Sequence, residues 1–388
     1  MAHRPQPGWA DAAAAGGGLT RRSRCPICAG HRWTAARGRP KEGRAAPMTT
    51  GIGKRCKGAS RVAEVLLLLG GGSVQAQPLP PPDPRATASF VLENDSLKLS
   101  GSPTDRWYTS GVRFGWSSAE NNLPGPLAII DGGLASLFGA ANTRWRLGFG
   151  QNFFTPLDKH LEDPDPRDRP YAGILYGAIG LDRRTWRTLD RFELQLGVIG
   201  PASGARDTQS FIHRLTNDPI PEGWGRQLHN EPVFNINAER IWRLPVARTG
   251  IGDVDVLPTV GAQLGTVRVA ASAGARLRFG QGLERDFGAP RIRPTIGDPP
   301  APVGEGFGWY VFGGVGGYAV ARDIFLDGNT WRDSRSVDKR NFVADFEVGA
   351  AVFWRNIRLS YTQVWRTKEF EDQSEIVTFG SVSLAFSF

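Results

Sequence analysis

From residue 87 to its end, the chain repeats short segments in which apolar and polar side chains alternate. Tyr108, Ser110, Val112, Phe114 and Trp116 oppose Thr109, Gly111, Arg113 and Gly115. Phe192, Leu194, Leu196 and Val198 oppose Arg191, Glu193, Gln195 and Gly197. Ala344, Phe346, Val348 and Ala350 oppose Asp345, Glu347 and Gly349. The last segment sets Val382, Leu384, Phe386 and Phe388 against Ser383, Ala385 and Ser387. A period of two predicts strands, and charges confined to one face suit a strand between lipid and a polar lumen.

Twelve such strands are expected, near 87–94, 107–117, 143–153, 171–182, 190–200, 231–243, 253–265, 268–280, 307–319, 342–354, 356–367 and 376–388. The number is even, and most lengths match the ~9–11 residues of a tilted membrane strand. The expected fold is therefore all-β: a transmembrane antiparallel β-barrel over 87–388, of about 12 strands, with a short helix in an extracellular loop. No long amphipathic helix pattern follows the first strand. With both termini periplasmic, loops 95–106, 154–170 and 201–230 face the cell exterior. The turns after the second and eighth strands are longer than a simple barrel uses.

The front of the chain changes how its charge is read. Lys54, Arg55, Lys57 and Arg61 precede the apolar run Val62–Leu69, then Gly70-Gly71-Gly72 and Val74-Gln75-Ala76. A basic stretch, a short apolar core and a small-residue cleavage site predict a signal peptide over 48–76, starting at Met48. Residues 1–47 are expected to be a misassigned upstream extension, and 77–86 a proline-rich periplasmic lead-in. Up to Ala76 there are 13 Lys/Arg against 3 Asp/Glu; the remainder holds 34 against 35. The formal +9 thus belongs to the leader, and a nucleic-acid partner is not expected. Cys25, Cys28 and Cys56 also lie there, and Cys25-Pro26-Ile27-Cys28 has no second pair to complete a zinc ribbon.

The unusual polar residues gather in the outer loops. Asn94 and Asp95 end the first strand, a carboxylate and an amide suited to calcium if carbonyls or water complete the shell. The same dipeptide also serves as an Asx turn. Trp107-Tyr108-Thr109 opens the second strand. Thr155-Pro156 begins a loop that closes with Arg169-Pro170-Tyr171-Ala172-Gly173. Gln209 and His213 stand four apart, so a helix would set them on one face. Arg106, Lys159, Arg167, Arg169 and Arg214 are cations for a phosphorylated head group. His160 and His229 read as solvated or structural.

In that ordered set the sequence resembles the outer-membrane lipid A 3′-O-deacylase family, from the first strand to about Asn235 and more weakly to the C-terminus. The resemblance implies a twelve-stranded barrel that uses Ca2+ to hydrolyse an acyl ester of lipid A in lipopolysaccharide of the outer leaflet. By matching position it implies Asn94 and Asp95 in the calcium corner, Thr109 as a supporting polar residue, and Gln209 beside the general base His213. The family's functional lysine aligns with Lys159 only through a gap. Arg169 and Arg214 are expected on the substrate, and a monomer in the bacterial outer membrane is expected.

Water attacking the ester would pass its proton to His213 while a metal held by Asp95 stabilises the oxyanion. No Gly-x-Ser-x-Gly or His-Glu-x-x-His occurs, which disfavours a serine acyl-enzyme or a zinc peptidase. An outer-membrane phospholipase would need a serine beside a strand-borne histidine, and a porin or adhesin would lack a convergent polar corner.

Overall fold

In a bilayer, a sheet must close on itself so that no backbone edge is left unpaired. The computed structural model, which describes residues 78–99, 105–292 and 306–388, shows that closure. The expected extension (1–47), signal peptide (48–76) and first lead-in residue lie outside the described residues.

The antiparallel strands are β1 (Thr87–Asn94), β2 (Trp107–Ser117), β3 (Asn142–Thr155), β4 (Ala172–Arg184), β5 (Thr188–Ile199) and β6 (Glu231–Trp242). They continue with β7 (Leu244–Arg248), β8 (Asp253–Gly265), β9 (Arg268–Gln281), β10 (Phe307–Asp323), β11 (Phe342–Trp354), β12 (Ile357–Arg366) and β13 (Val377–Ser387). Strands adjacent in sequence pair, except β6 with β7; β1 pairs with β13, and β6 pairs with β8 from Asn235–Gly265 to Ile241–Thr259. Twelve strands thus form the ring. β7 pairs with β8 alone, as a short flap that alternation did not predict.

The faces follow the pattern. On β5, Arg191, Glu193 and Gln195 are buried while Leu194 and Leu196 are exposed to the bilayer side. One predicted face is wrong. Pairing of β2 with β3 slips between Tyr108 and Ser110, so Thr109 is a bulge. The extra residue turns Tyr108 into the lumen, where its hydroxyl donates to Glu93 (2.8 Å).

Charge fills that lumen. Arg113 meets Glu193 at 2.7 Å, and Arg146 meets Asp182 at 2.9 Å. Arg291 meets Asp345 and Glu347, both at 3.1 Å. Arg291 belongs to the connection after β9, the overlong turn of the sequence. Leu283, Asp286, Phe287, Ala289, Arg291 and Ile292 are all buried, and the Ile292 amide donates to Glu93 near the far end of β1 (2.8 Å). The segment occupies the barrel interior as a plug.

Among the described residues, two helices of more than one turn leave the strand pattern. α1 (Gly125–Phe138) joins β2 to β3 at the rim where β1 begins, the terminal rim. α2 (Ala205–Thr216) lies between β5 and β6 at the opposite loop rim, as the sequence predicts for a short loop helix.

Candidate functional site

At the end of β1, Asn94 is the cap of a single 3₁₀ turn, Asp95–Leu97. Its Oδ1 accepts from the Ser96 amide at 2.7 Å, which is Asx-turn geometry. The turn carries Asp95 to 1% exposure. Across the ladder Asn94 faces Ser110, so this corner adjoins the Thr109 bulge. Thr109 Oγ1 and Thr155 Oγ1 are 2.7 Å apart, and Thr155 donates to the Asp105 carbonyl at 2.5 Å. Asp105 and Trp107 both have positive φ (46° and 63°), a backbone that bulky residues rarely adopt. That doubling back turns the Asp105 carboxylate toward the two loops beyond it.

Asp105 is the junction of the site. Its Oδ2 receives the Lys159 ammonium in a short ion pair and stands 3.2 Å from His213 Nε2. His213 Nδ1 is 2.6 Å from the Pro219 carbonyl. A carbonyl only accepts, so Nδ1 carries a proton and Nε2 is the nitrogen left for chemistry. Helix geometry sets this up. α2 ends at Asn217 in the left-handed conformation, and the chain then turns back to bring Pro219 under the ring. Ala205, Gln209 and His213 are the buried positions of α2, so Gln209 and His213 do share one face. Gln209 Oε1 accepts from Trp224 Nε1 (2.8 Å), and its buried Nε2 has no hydrogen-bond partner among the described residues.

α2 packs on the outside of the wall. Phe153 of β3, Tyr171, Ala205 and Trp224 form one buried cluster. A Cβ built on Gly173 of β4 would fall 2.2 Å from Ala205 Cβ and 2.5 Å from Ser203 Oγ. Only glycine permits this approach. The opposite face of α2 exposes Phe211 and Leu215 at 55% and 70%. His213 therefore sits in a seam between barrel and helix whose outer lip is apolar. Gly173→Leu should displace α2 and lower activity at least ~10-fold by misplacing His213. The barrel should still show heat-modifiable gel mobility; unchanged activity would deny that the seam matters.

A family model described as outer membrane protein LpxR matches residues 62–388. The chain belongs to that family. Among solved structures, LpxR from Salmonella typhimurium is 20% identical with a TM-score of 0.65, over 78% of this chain and 100% of that chain. That likeness supports the fold, and the protein is an outer-membrane barrel. The β domain of the Bordetella autotransporter BrkA (12% identity, 79% of this chain and 99% of that one) has a TM-score of 0.38. The translocator domain of NalP from Neisseria meningitidis (11%, 78% and 87%) has 0.33. No curated protein sequence matches.

Within this LpxR-family chain the rim cations divide. Arg169 is not on the open rim as expected. It is 1% exposed, paired with Glu369 at 3.1 Å and stacked 4.5 Å from the Phe154 ring, so it ties two loops together. Asp168 beside it accepts from the Leu157 and Arg169 amides, and burial pushes its carboxyl above the usual range. Lys159 is half-buried and committed to Asp105. Arg214 is exposed on α2. His160 and His229 are exposed. Asp105 is not legible in the sequence as a site residue, because an aspartate in a loop of Gly, Ser, Pro and Thr carries a turn signal and no spacing signal.

Proposed function

We propose that this chain is a calcium-dependent outer-membrane esterase that removes the 3′-acyloxyacyl chain from lipid A of lipopolysaccharide. The observation that carries the reading is His213, held by the Pro219 carbonyl with Nε2 directed at Asp105, in a seam that opens on the lipid side of the wall. A soluble substrate would not need an apolar lip of Phe211 and Leu215. A lipid ester in the leaflet beside the loop rim could enter laterally.

Water approaching Nε2 passes its proton to His213 as it attacks the ester carbonyl. Asp105 accepts a hydrogen bond from the new Nε2–H and balances the imidazolium, while Lys159 keeps Asp105 oriented. The carbonyl–oxygen bond then breaks, the acid leaves, and His213 returns the proton to the sugar hydroxyl. The spare Gln209 amide, one turn from His213, is a donor suited to the developing oxyanion. Thr109 supports Asp105 through Thr155. Exposed Arg214 is placed to meet a phosphate. His213 has no serine among its hydrogen-bond partners in the described residues, so attack by water fits better than a phospholipase-type acyl-enzyme.

For a metal, the donor set is lean. Among the described residues no three His, Cys, Asp or Glu side chains gather as a metal-binding group. The buried Asp95 carboxylate is a hard oxygen ligand, and backbone carbonyls and water would supply most of a calcium shell. Asn94 Oδ1 is engaged in its turn and would share its remaining lone pair. When bound there, calcium would polarise the ester carbonyl.

Chelation should therefore stop hydrolysis, and added calcium should restore it in wild type but not in Asp95→Ala. Full activity in chelator would remove calcium from the account. Asp105→Asn keeps the shape but loses the charge opposite Nε2. A charged hydrogen bond of ~1.5–3 kcal/mol corresponds to a kcat loss of roughly 10- to 100-fold. A change confined to KM would make Asp105 a binding residue instead.

A further inference from the structure

α1 has a composition that a helix in water would not carry. Its sequence, Gly125-Pro126-Leu127-Ala128-Ile129-Ile130-Asp131-Gly132-Gly133-Leu134-Ala135-Ser136-Leu137-Phe138, contains one charged residue and no buried residue. Ile129 and Leu137 are 79% and 76% exposed, and Ile130 and Phe138 about half exposed. The one charge is neutralised locally: Asp131 Oδ1 accepts from Arg183 Nε (2.7 Å) and Thr143 Oγ1 (2.9 Å). Ser136 turns its hydroxyl to the Gly133 carbonyl of the same helix. Hardly any polar group of α1 is left for water.

Its location says what covers it. On β4, Asp182 points into the lumen toward Arg146, so Arg183, the next residue, points out. On β5, Phe192 alternates with the inward Arg191 and Glu193. α1 touches both outward residues, Arg183 through Asp131 and Phe192 through the Phe138 ring (centroids 5.8 Å apart). The helix therefore rests on the outer surface of the barrel, where the wall faces the bilayer. Arg240 stacks on both Phe138 (5.0 Å) and Trp242 (5.9 Å). Trp242 is one of a set of tryptophans at the terminal-rim ends of strands, with Trp116 and Trp145 in contact at 4.8 Å. Such aromatic girdles lie at the membrane–water interface. α1 is thus joined to the lipid-facing belt at the depth of the girdle, and at 14 residues it is far too short to span.

We infer that α1 is an interfacial membrane helix, lying in the periplasmic leaflet with Ile129, Ile130 and Leu137 among phospholipid acyl chains. This rests on the outer-membrane barrel and not on the proposed esterase activity. The barrel then grips both leaflets on one side, through α1 below and α2 above, both seated on β4.

Cysteines outside residues 25, 28 and 56 are absent from the chain, so the test uses full-length protein with those three changed to serine. Nitroxides are placed singly by Ile129→Cys and Leu137→Cys, with Asn122→Cys before the helix and Leu196→Cys on the lipid face as references. Protein processed in the outer membrane is reconstituted into phosphatidylethanolamine–phosphatidylglycerol vesicles, and folding is checked by heat-modifiable mobility. At 129 and 137, oxygen should broaden the spectrum more than a water-soluble nickel chelate, as at 196 and opposite to 122. Chelate access at 129 and 137 equal to that at 122 would place α1 in the periplasm and overturn the inference. Low access of both reagents would mean that protein covers the helix, and would overturn it equally.

Discussion

Replacing His213 with alanine should leave a folded barrel whose turnover of lipid A falls by ~10²–10⁴-fold, the span that a positioned general base contributes. The ring contributes Nε2 in a fixed direction, since the Pro219 carbonyl 2.6 Å from Nδ1 occupies the other nitrogen. Alanine removes that nitrogen and little packing, because α2 is also held by Ala205 and Gln209. Asparagine, which donates but is not basic, should do no better than alanine. Heat-modifiable mobility and circular dichroism should match wild type in both. A loss of less than about threefold, with the fold intact, would exclude His213 as the base.

The second large effect is on stability. Asp286, in the plug, accepts from Arg278 Nη1 (2.5 Å), Arg358 Nη1 (3.0 Å), the Tyr310 hydroxyl (2.9 Å) and the Gly288 amide (3.1 Å). Its side chain and both guanidiniums are fully buried. A buried ion pair adds little over a well-packed apolar substitute. Deleting one partner, however, leaves buried charge uncompensated at a cost of ~3–5 kcal/mol. Asp286→Ala should accordingly lower the urea midpoint for loss of the heat-modifiable form, and should loosen the plug. Asp286→Asn, which keeps part of the hydrogen bonding, should fall between. A midpoint unchanged in both would mean that the plug does not brace the barrel. A rise in single-channel conductance for Asp286→Ala would show that the plug seals the lumen.

Much of the barrel was legible because lipid outside and charge inside impose alternation on every strand. The twelve expected strands are present with ends displaced by a few residues, and the terminal Val382–Phe388 pattern holds residue by residue. The exceptions have physical causes. Tyr108 departs from the alternation because a bulge at Thr109 adds a residue to β2 that periodicity cannot register. β7 escaped notice because a five-residue flap has no buried face to pattern. α1 escaped because both of its sides are apolar, one against the barrel wall and one outward, so no amphipathic period exists to find. The plug residues 283–292 look like a turn-rich loop until Arg291 meets Asp345 and Glu347 inside the lumen.

The site was legible in residue type and less so in role. The shared face of Gln209 and His213 follows from their spacing once a helix carries them, and the seat of that helix on Gly173 explains the glycine. Asn94 adopts the turn geometry that its sequence context also allowed. Arg169 was expected at the substrate, yet its guanidinium is consumed by Glu369 and the Phe154 ring, a partnership some 200 residues away along the chain. Asp105 became visible only when left-handed backbone at 105 and 107 brought it against two other loops.

Whether the barrel deacylates lipid A is decided by mass spectrometry of lipid A incubated with the wild-type barrel in calcium. The expected product is lighter by the 3′-acyloxyacyl group, with phospholipids in the same vesicles intact. Lipid A of unchanged mass, from a barrel shown to be folded, would contradict it.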